Sequence, residues 1–151
     1  MTVPTQDGFV AFLQGVAAFD PLVLPSNAPV ISDAYGYAVA AVDPLLANLS
    51  GNLYSLAIYN LGTDYVVNYA PDQVVSGVAR TFFSDLRTQL GINTFVPGVV
   101  ASSGNSPTNQ STLNPEFMKT FTMMDLQTLK TPWGRAYMAI AQQSSTIWGV
   151  S

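Results

Sequence analysis

One uninterrupted stretch constrains this chain more than any other: residues 52 to 69, NLYSLAIYNLGTDYVVNY. It contains no proline, and apolar side chains fall on nearly every face of the helix that it predicts. The apolar positions are Leu53, Leu56, Ala57, Tyr59 and Leu61. A helix that is apolar all round is usually buried among other helices. The sequence therefore predicts a small helical bundle with this segment at its centre.

Two helices are predicted before the central one, each bounded by proline. The first begins at a cap on Thr5 or Asp7 and ends at Asp20-Pro21, with an apolar stripe at Phe9, Phe12, Leu13, Val16 and Phe19. After the connector PLVLPSNAP, residues 27 to 29 open the second, with a stripe at Ile31, Tyr35, Ala38 and Val42. Asp43-Pro44 then restarts the helix as PLLANL, because proline is tolerated in the first turn.

Three further helices are predicted after it. Ala70-Pro71-Asp72 opens the first, with a stripe at Val75, Val78, Phe82 and Leu86. Thr122 and Asp125 resemble a capping box ahead of the second. Thr131 and Pro132 suit the N-cap and first position of the last helix, whose apolar face carries Trp133, Tyr137, Ile140 and Ala141. Arg135 is expected to point to solvent or to a partner's carboxylate.

The composition changes in residues 92 to 115, INTFVPGVVASSGNSPTNQSTLNP. The Gly, Pro, Ser, Asn and Thr residues of this segment predict a β-hairpin or a long loop over about residues 94–113. A loop of this length is usually functional or an assembly element. The predicted fold class is mainly α, a single domain over residues 1–151 with this hairpin or loop projecting before the C-terminal helices and a tail at 144–151.

Charge is scarce. Charged residues make up 9% of the chain and hydrophobic residues 48%, with a mean hydropathy of +0.27, whereas an ordinary soluble domain is about 25% charged. A monomer normally stays soluble through a charged surface, so the composition predicts burial against other subunits. A monomer with a surface rich in Ser, Thr, Asn and Gln is the open alternative.

The residue types narrow the functional classes. The chain has no cysteine and no histidine, which excludes thiolate nucleophiles, histidine bases and most zinc sites. The net charge is −4, and the cations are scattered at Arg80, Arg87, Lys119, Lys130 and Arg135. We therefore expect no tight nucleic-acid binding, no catalytic, metal or cofactor residues, and no enzyme activity. A carboxylate pair that meets only in the fold, or a serine paired with Lys119 or Lys130, stays open.

The N-terminus MTVPTQDGFV has no positive region and meets Asp7 early, so it does not predict a signal peptide. The two most apolar stretches are broken by Gln14 and by Asp43-Pro44, which makes each too short to span a bilayer. We expect a soluble protein made in the cytoplasm of its producer, without a membrane partner.

The order of these parts resembles the head–tail connector (adaptor) proteins of tailed bacteriophages. The likeness covers most of the chain: a helix with spaced phenylalanines, a proline-rich connector, the helices around VDP and LYSLAIYNL, the hairpin GVVASSG, and the final LQTLKTPWGRAYMAIA. The closest correspondences are residues 98 to 103 and 129 to 141. Many relatives carry a histidine in the middle helix, where this chain has Tyr59-Asn60, so details of that helix are not carried over.

The resemblance implies a structural virion protein of the neck, at the head–tail interface. Copies would form a homo-oligomeric ring, of about 12 by the family pattern, below the portal protein and above a tail or stopper protein. DNA would be passing cargo in the channel, since an acidic ring does not retain a duplex. The rivals are a head-completion or tail-terminator protein, and a cytosolic helical binding module.

The expected assembly contacts lie in two segments, and three further candidates lie on the last predicted helix. Residues 95 to 113 are assigned to contacts between subunits or with the tail side, and the tail around Trp148 to docking on the portal or the next subunit. Trimming either is expected to abolish ring docking while the monomer stays helical. The interface candidates are Phe95, Val96, Gly98, Val99, Val100, Ser102, Ser103, Leu113, Trp133, Arg135, Tyr137, Ile147 and Trp148.

Overall fold

The structure, a computed structural model, describes residues 3–75, 78–94, 99–102, 111–113 and 123–144. These ranges are mainly helical. The helices are α1 Gln6–Gly15, α2 Pro29–Ala41, α3 Leu46–Leu49, α4 Gly51–Tyr69, α5 Phe82–Gln89, α6 Met123–Thr128 and α7 Pro132–Ser144, with a 3-10 turn at Ile92–Thr94. The strands are β1 Gln73–Val75, β2 Val78–Arg80, β3 Val99–Ser102 and β4 Ser111–Leu113.

Helix α4 is the centre of the bundle, which confirms the prediction for that segment. It contacts α1, α2, α3, α5 and α7, and ten of its 19 residues are buried. Ser50 caps its N-terminus, accepting a hydrogen bond from the Leu53 amide at 3.5 Å. The largest contacts of α4 are with α2 and α7, so these two helices define the surroundings of any group buried on α4.

The C-terminal end of α4 is closed by a side chain from α5. The Arg87 guanidinium donates to the Asn68 and Ala70 carbonyl oxygens, each at 2.9 Å. A cation at a helix C-terminus satisfies carbonyls that lack intrahelical partners and complements the helix dipole. One of the five scattered cations therefore has a structural role inside the chain.

Helix α1 begins as predicted and ends early. The Thr5 hydroxyl accepts from the Gly8 amide at 3.1 Å, so Thr5 is the cap. The helix ends at Gly15 with Val16 as its C-cap, and Ala18 has a φ of +56°; a right-handed helix cannot continue through a left-handed residue. The prediction that the helix continues to Asp20-Pro21 is wrong. Val16 is 70% exposed, and Phe19 is buried although it lies beyond the end of the helix.

Residues 73–75 and 78–80 are extended, where the sequence predicts the start of a helix. Strands β1 and β2 pair antiparallel, with Val74 opposite Ala79, and the helix begins only at Phe82. Asp72 still acts as a cap, but across this hairpin: its Oδ1 accepts from the Phe83 amide at 2.8 Å and from the Ser84 amide at 3.2 Å. The β-branched valines favour the strand conformation, so the helical stripe predicted through Val75 and Val78 is wrong.

Strands β3 and β4 pair antiparallel within the segment predicted as a hairpin or loop. Val99 lies opposite Leu113 and Val100 opposite Thr112, with an irregularity before Ser102. Residues 95–98 and 103–110 lie outside the described ranges, so how far this segment projects stays a prediction. In the described part of the chain, no helix combines the length and apolar character needed to cross a membrane.

Candidate functional site

The predicted interface residues fall into two groups. Those at Phe95, Val96, Gly98, Ser103, Ile147 and Trp148 lie outside the described residues. Of the others, Val99, Val100 and Ser102 belong to β3, Leu113 belongs to β4, and the remaining three lie on α7. Their role in assembly stays a prediction.

The α7 candidates differ in exposure. Trp133 is half-buried and tilts against the Phe19 ring, with centroids 5.8 Å apart. Tyr137 packs with Ile140 on a core cluster that includes Ile58 and Leu61. Arg135 is exposed and donates to the Leu129 carbonyl at 3.0 Å. Trp133 and Tyr137 therefore contribute to the packing of their own chain, and Arg135 has the most accessible side chain of the three.

A buried carboxylate lies where α7 meets α4. Asp64, in the C-terminal half of α4, is only 6% exposed, and Thr131 is fully buried. The Thr131 hydroxyl donates to Asp64 Oδ1 at 2.5 Å and accepts from the Gly134 amide at 2.9 Å. Thr131 is thus the N-cap predicted from sequence, and the same hydroxyl also joins α7 to α4. We call Asp64, Thr131 and Gly134 the polar joint.

The close contacts at this joint require glycine at position 134. A Cβ placed on Gly134 would lie 1.8 Å from the Thr128 carbonyl oxygen and 2.8 Å from Asp64 Oδ1. No heavy atom fits at such distances, so only glycine lets the first turn of α7 approach α4 and the end of α6 this closely. The Trp-Gly step of the sequence is therefore a packing requirement.

Burial dominates the electrostatics of the joint. Removal from water raises the pKa of Asp64 to about 6, against the smaller lowering effects of hydrogen bonds from Thr131 and Asn68 and of the Lys130 charge. Burial also raises the pKa of Tyr37, with the nearby Asp64 charge as the next cause. Near neutral pH the joint therefore holds a negative charge, and the Thr131 hydroxyl is the group that donates a hydrogen bond to it.

A cavity of about 300 Å³ opens beside this carboxylate. Its walls come from α2, α4 and α6: Tyr37, Asp64, Tyr65, Asn68, Tyr69, Gln127 and Thr128. The Tyr37 and Tyr65 rings have centroids 5.2 Å apart, and those of Tyr65 and Tyr69 are 4.8 Å apart, so the three rings form one continuous wall. We call this cavity the tyrosine pocket.

Sequence reasoning missed this site. Asp64 was one of nine carboxylates with no neighbour to single it out. The usable signal was its position, a lone carboxylate in a helix already predicted to be apolar on nearly every face and central in the bundle. In the described part of the chain, no three metal-ligating side chains come together, and the side chain bonded to the Asp64 carboxylate is the Thr131 hydroxyl, not a second carboxyl group.

A second feature lies on the outside of α3. Leu45, at its N-cap, is 62% exposed, and Leu49, one helical turn later, is 60% exposed. Residues four apart lie on the same helical face, so the two side chains form an apolar strip in solvent. We call this pair the leucine face. Leu56, on the adjacent helix α4, is also 41% exposed.

Comparison with protein-family models, with curated proteins and with solved structures gives no match to this chain.

Proposed function

We propose that this chain is a ring-forming head–tail connector of a tailed bacteriophage, a structural protein of the virion neck made in the host cytoplasm. In this role it would bridge the portal vertex to the tail or its stopper protein and let DNA pass. It would need no cofactor and no catalytic group. The proposal starts from the family resemblance of the sequence, and one structural observation adds most to it.

That observation is the leucine face. Nine large apolar side chains of the described residues are substantially exposed, and Leu45 and Leu49 lie together on one turn. Burying a leucine stabilises by about 1.5–3 kcal/mol relative to leaving it in water. A monomer with so little surface charge leaves this stabilisation unused, whereas a ring subunit buries its lateral faces against neighbours.

The charge balance is compatible with a channel for DNA. A heterologous contact between identical subunits closes into a ring when its rotation is right. With a net charge of −4, such a ring would present mainly carboxylates and neutral groups to the passing duplex. Since affinity for DNA depends on neutralising phosphates with Lys and Arg, the DNA would pass without being captured.

Native mass by light scattering tests the proposal, on the full chain alone and then mixed with portal protein from the same phage genome. We expect a ring of about 12 copies or a stable complex with the portal. A monomer that stays monomeric at high concentration and ignores the portal would overturn the connector role. Binding to the tail tube in place of the portal would move the assignment to a tail-terminator protein.

The second candidate is a cytosolic helical binding module, and the tyrosine pocket favours it. A cavity of about 300 Å³ lies at the lower limit of the size range for small-molecule sites. This reading predicts a monomer in light scattering together with saturable binding of a small ligand. The connector proposal predicts assembly whether or not the pocket is occupied.

A further inference from the structure

The carboxylate of Asp64 has fewer partners than its charge can use. An ionised carboxylate offers about four acceptor positions, and the side chain that donates to it is the Thr131 hydroxyl, at 2.5 Å from Oδ1. The nearby Asn68 amide donates to the Asp64 backbone carbonyl at 2.8 Å. Within the described residues no salt bridge reaches it, and Lys130 acts on it only through its electric field. A buried charge without a counter-ion is unfavourable by several kcal/mol. The pocket therefore favours whatever brings it a positive charge.

The walls of the pocket suit the same kind of ligand. Three tyrosine rings, from Tyr37, Tyr65 and Tyr69, stand side by side on it. The face of an aromatic ring attracts ammonium and guanidinium groups, most strongly where water is excluded. Aromatic rings also accept the alkyl chain that carries such a group. A neutral apolar ligand would use the rings and leave the Asp64 charge unpaired.

Position and size limit the ligand further. Tyr69 is 63% exposed, so the pocket opens to solvent at that ring while Asp64 lies at its buried end. A volume of about 300 Å³ accepts one unbranched chain with a charged end group, and is near the lower limit for small-molecule sites. The ligand must therefore enter with its charged end first, past Tyr69 towards Asp64.

We propose that the tyrosine pocket binds an alkylammonium or alkylguanidinium group, with Asp64 as its counter-ion and Tyr37, Tyr65 and Tyr69 as its aromatic wall. The group belongs either to a small amine or to a lysine or arginine side chain of a partner protein. The proposal goes beyond the connector function and does not depend on it, since the pocket belongs to the single chain.

Two-dimensional NMR titration of the full chain at about pH 7.5, where Asp64 is ionised, tests this site. The probes are n-butylammonium and butylguanidinium, with 1-butanol as the neutral probe of similar length. We expect the cations to shift the amide signals of Asn68, Gln127 and Thr128 saturably, and to bind at least about tenfold more tightly than 1-butanol, a difference of about 1.4 kcal/mol.

Three variants separate the contributions. Asp64→Asn keeps the shape of the side chain and removes its charge, and Tyr69→Leu removes one ring from an exposed position. Each is expected to weaken n-butylammonium binding about tenfold or more, while Tyr69→Phe, which keeps the ring, stays within about twofold of the parent chain. Because Tyr69 lies at the surface, its variants test the wall without disturbing the core.

Several outcomes would overturn the proposal: equal binding of 1-butanol and the cations, undiminished binding in Asp64→Asn, or no shift with any cation. A light-scattering mass unchanged by the probes separates this test from that of the connector function. The peptide acetyl-Gly-Lys-Gly-amide, with norleucine in place of lysine as its control, distinguishes a small amine from a protein side chain as the source of the charged group. Tighter binding of the peptide than of n-butylammonium assigns the site to a protein side chain, and the reverse assigns it to a small amine.

Discussion

The polar joint between α4 and α7 and the leucine face on α3 reverse the usual distribution of side chains. At the joint a carboxylate, Asp64, is 6% exposed, whereas on the outside Leu45 is 62% exposed and Leu49 is 60% exposed. Carboxylates are rarely buried unless paired, and most leucines lie inside. In the isolated chain, a neutral side chain at position 64 would therefore be more favourable than the buried carboxylate. Polar side chains at positions 45 and 49 would likewise be more favourable than the exposed leucines.

The two regions differ in how tightly the chain itself constrains them. The joint is fixed by hydrogen bonds at 2.5 and 2.9 Å and by a contact that excludes any side chain at Gly134. The two side chains of the leucine face, in contrast, are mostly exposed to solvent. We infer that changes at the joint alter folding first and binding second, and that changes on the leucine face alter association and leave folding intact.

The largest effect is expected for Gly134→Ala. The new methyl group would lie 1.8 Å from the Thr128 carbonyl oxygen, so α7 must move away from α4 and the hydrogen bond between Thr131 and Asp64 must lengthen. We expect the free energy of unfolding to fall by more than about 3 kcal/mol, at the upper end of overpacking effects. Urea denaturation followed by circular dichroism measures this loss.

Gly36→Ala is the matched control. Gly36 lies within α2, and a Cβ there meets no heavy atom within 4 Å. Alanine in a helix interior is favoured over glycine by about 0.5–1 kcal/mol, so this variant should be slightly more stable than the parent chain. Equal stability of the two variants would show that α7 does not pack on α4 as closely as a bare glycine allows.

The second effect is a pH dependence that comes from Asp64. Its pKa is about 6 in the folded chain against an ordinary value of 3.8, so the folded state binds the proton more tightly than the unfolded state. The contribution to stability is therefore full below about pH 4 and is lost as pH rises to about 6. A pKa difference of one between the folded and unfolded states corresponds to about 1.36 kcal/mol, so this loss amounts to roughly 3 kcal/mol at most.

Asp64→Asn removes this titration and keeps a side-chain oxygen for the Thr131 hydroxyl. We expect the variant to be more stable than the parent chain at pH 7, with the difference vanishing near pH 4. The groups that face Asp64 are Tyr37, Thr131, Asn68 and Lys130, whose residue types do not titrate between these values. A difference in stability that is constant across this pH range would contradict the assignment.

A smaller effect is expected at Asp72, an exposed carboxylate that contrasts with Asp64. Hydrogen bonds from the Ser84 side chain and from the Ser84 and Phe83 amides hold the pKa of Asp72 below its usual value, so its stabilising contribution is present at neutral pH and is lost as pH falls through the folded pKa. We expect Asp72→Ala to lower the free energy of unfolding by about 1 kcal/mol, as for other lost caps.

The matched control for this cap is Asp33→Ala, an exposed carboxylate on α2. It is expected to change the free energy of unfolding by less than about 0.5 kcal/mol, as surface substitutions usually do. Chemical denaturation of both variants at pH 7 makes the comparison. Equal losses would show that the hydrogen bonds that Asp72 accepts across the β1–β2 hairpin do not stabilise α5.

The elements that sequence analysis predicted well are those set by local chemistry. The caps at Thr5 and Thr131, the proline that opens α2 and the central position of α4 follow from helix ends and apolar spacing. Such features depend on residues within a few positions of each other.

The features that the sequence did not predict depend on contacts between residues far apart in the chain. Asp72 caps a helix that starts ten residues later, and two strands lie in the region predicted as helix. Asp64 and Thr131 are 67 positions apart, so no local pattern brings them together. The tyrosine pocket likewise draws its walls from three helices, and the spacing of tyrosines within α4 predicts core packing equally well.

The smallest effect on folding, and the largest on assembly, is expected on the leucine face. Replacing Leu45 and Leu49 together by serine removes two exposed side chains, so the free energy of unfolding should change by no more than about 0.5 kcal/mol per site. The same variant is expected to lose the ring or the portal complex, because the two leucines contribute apolar area to that contact. Light scattering and urea denaturation of one preparation separate the two effects.

Val16→Ser is the control for exposure alone, since Val16 is 70% exposed at the end of α1, away from this strip. If Leu45→Ser/Leu49→Ser assembles as the parent chain does, the leucine face is not the contact between subunits. If Val16→Ser also loses assembly, overall surface hydrophobicity drives association. Loss in the leucine variant alone, at unchanged stability, would show that the exposed leucines serve a partner, as the buried carboxylate of the polar joint is proposed to serve a ligand.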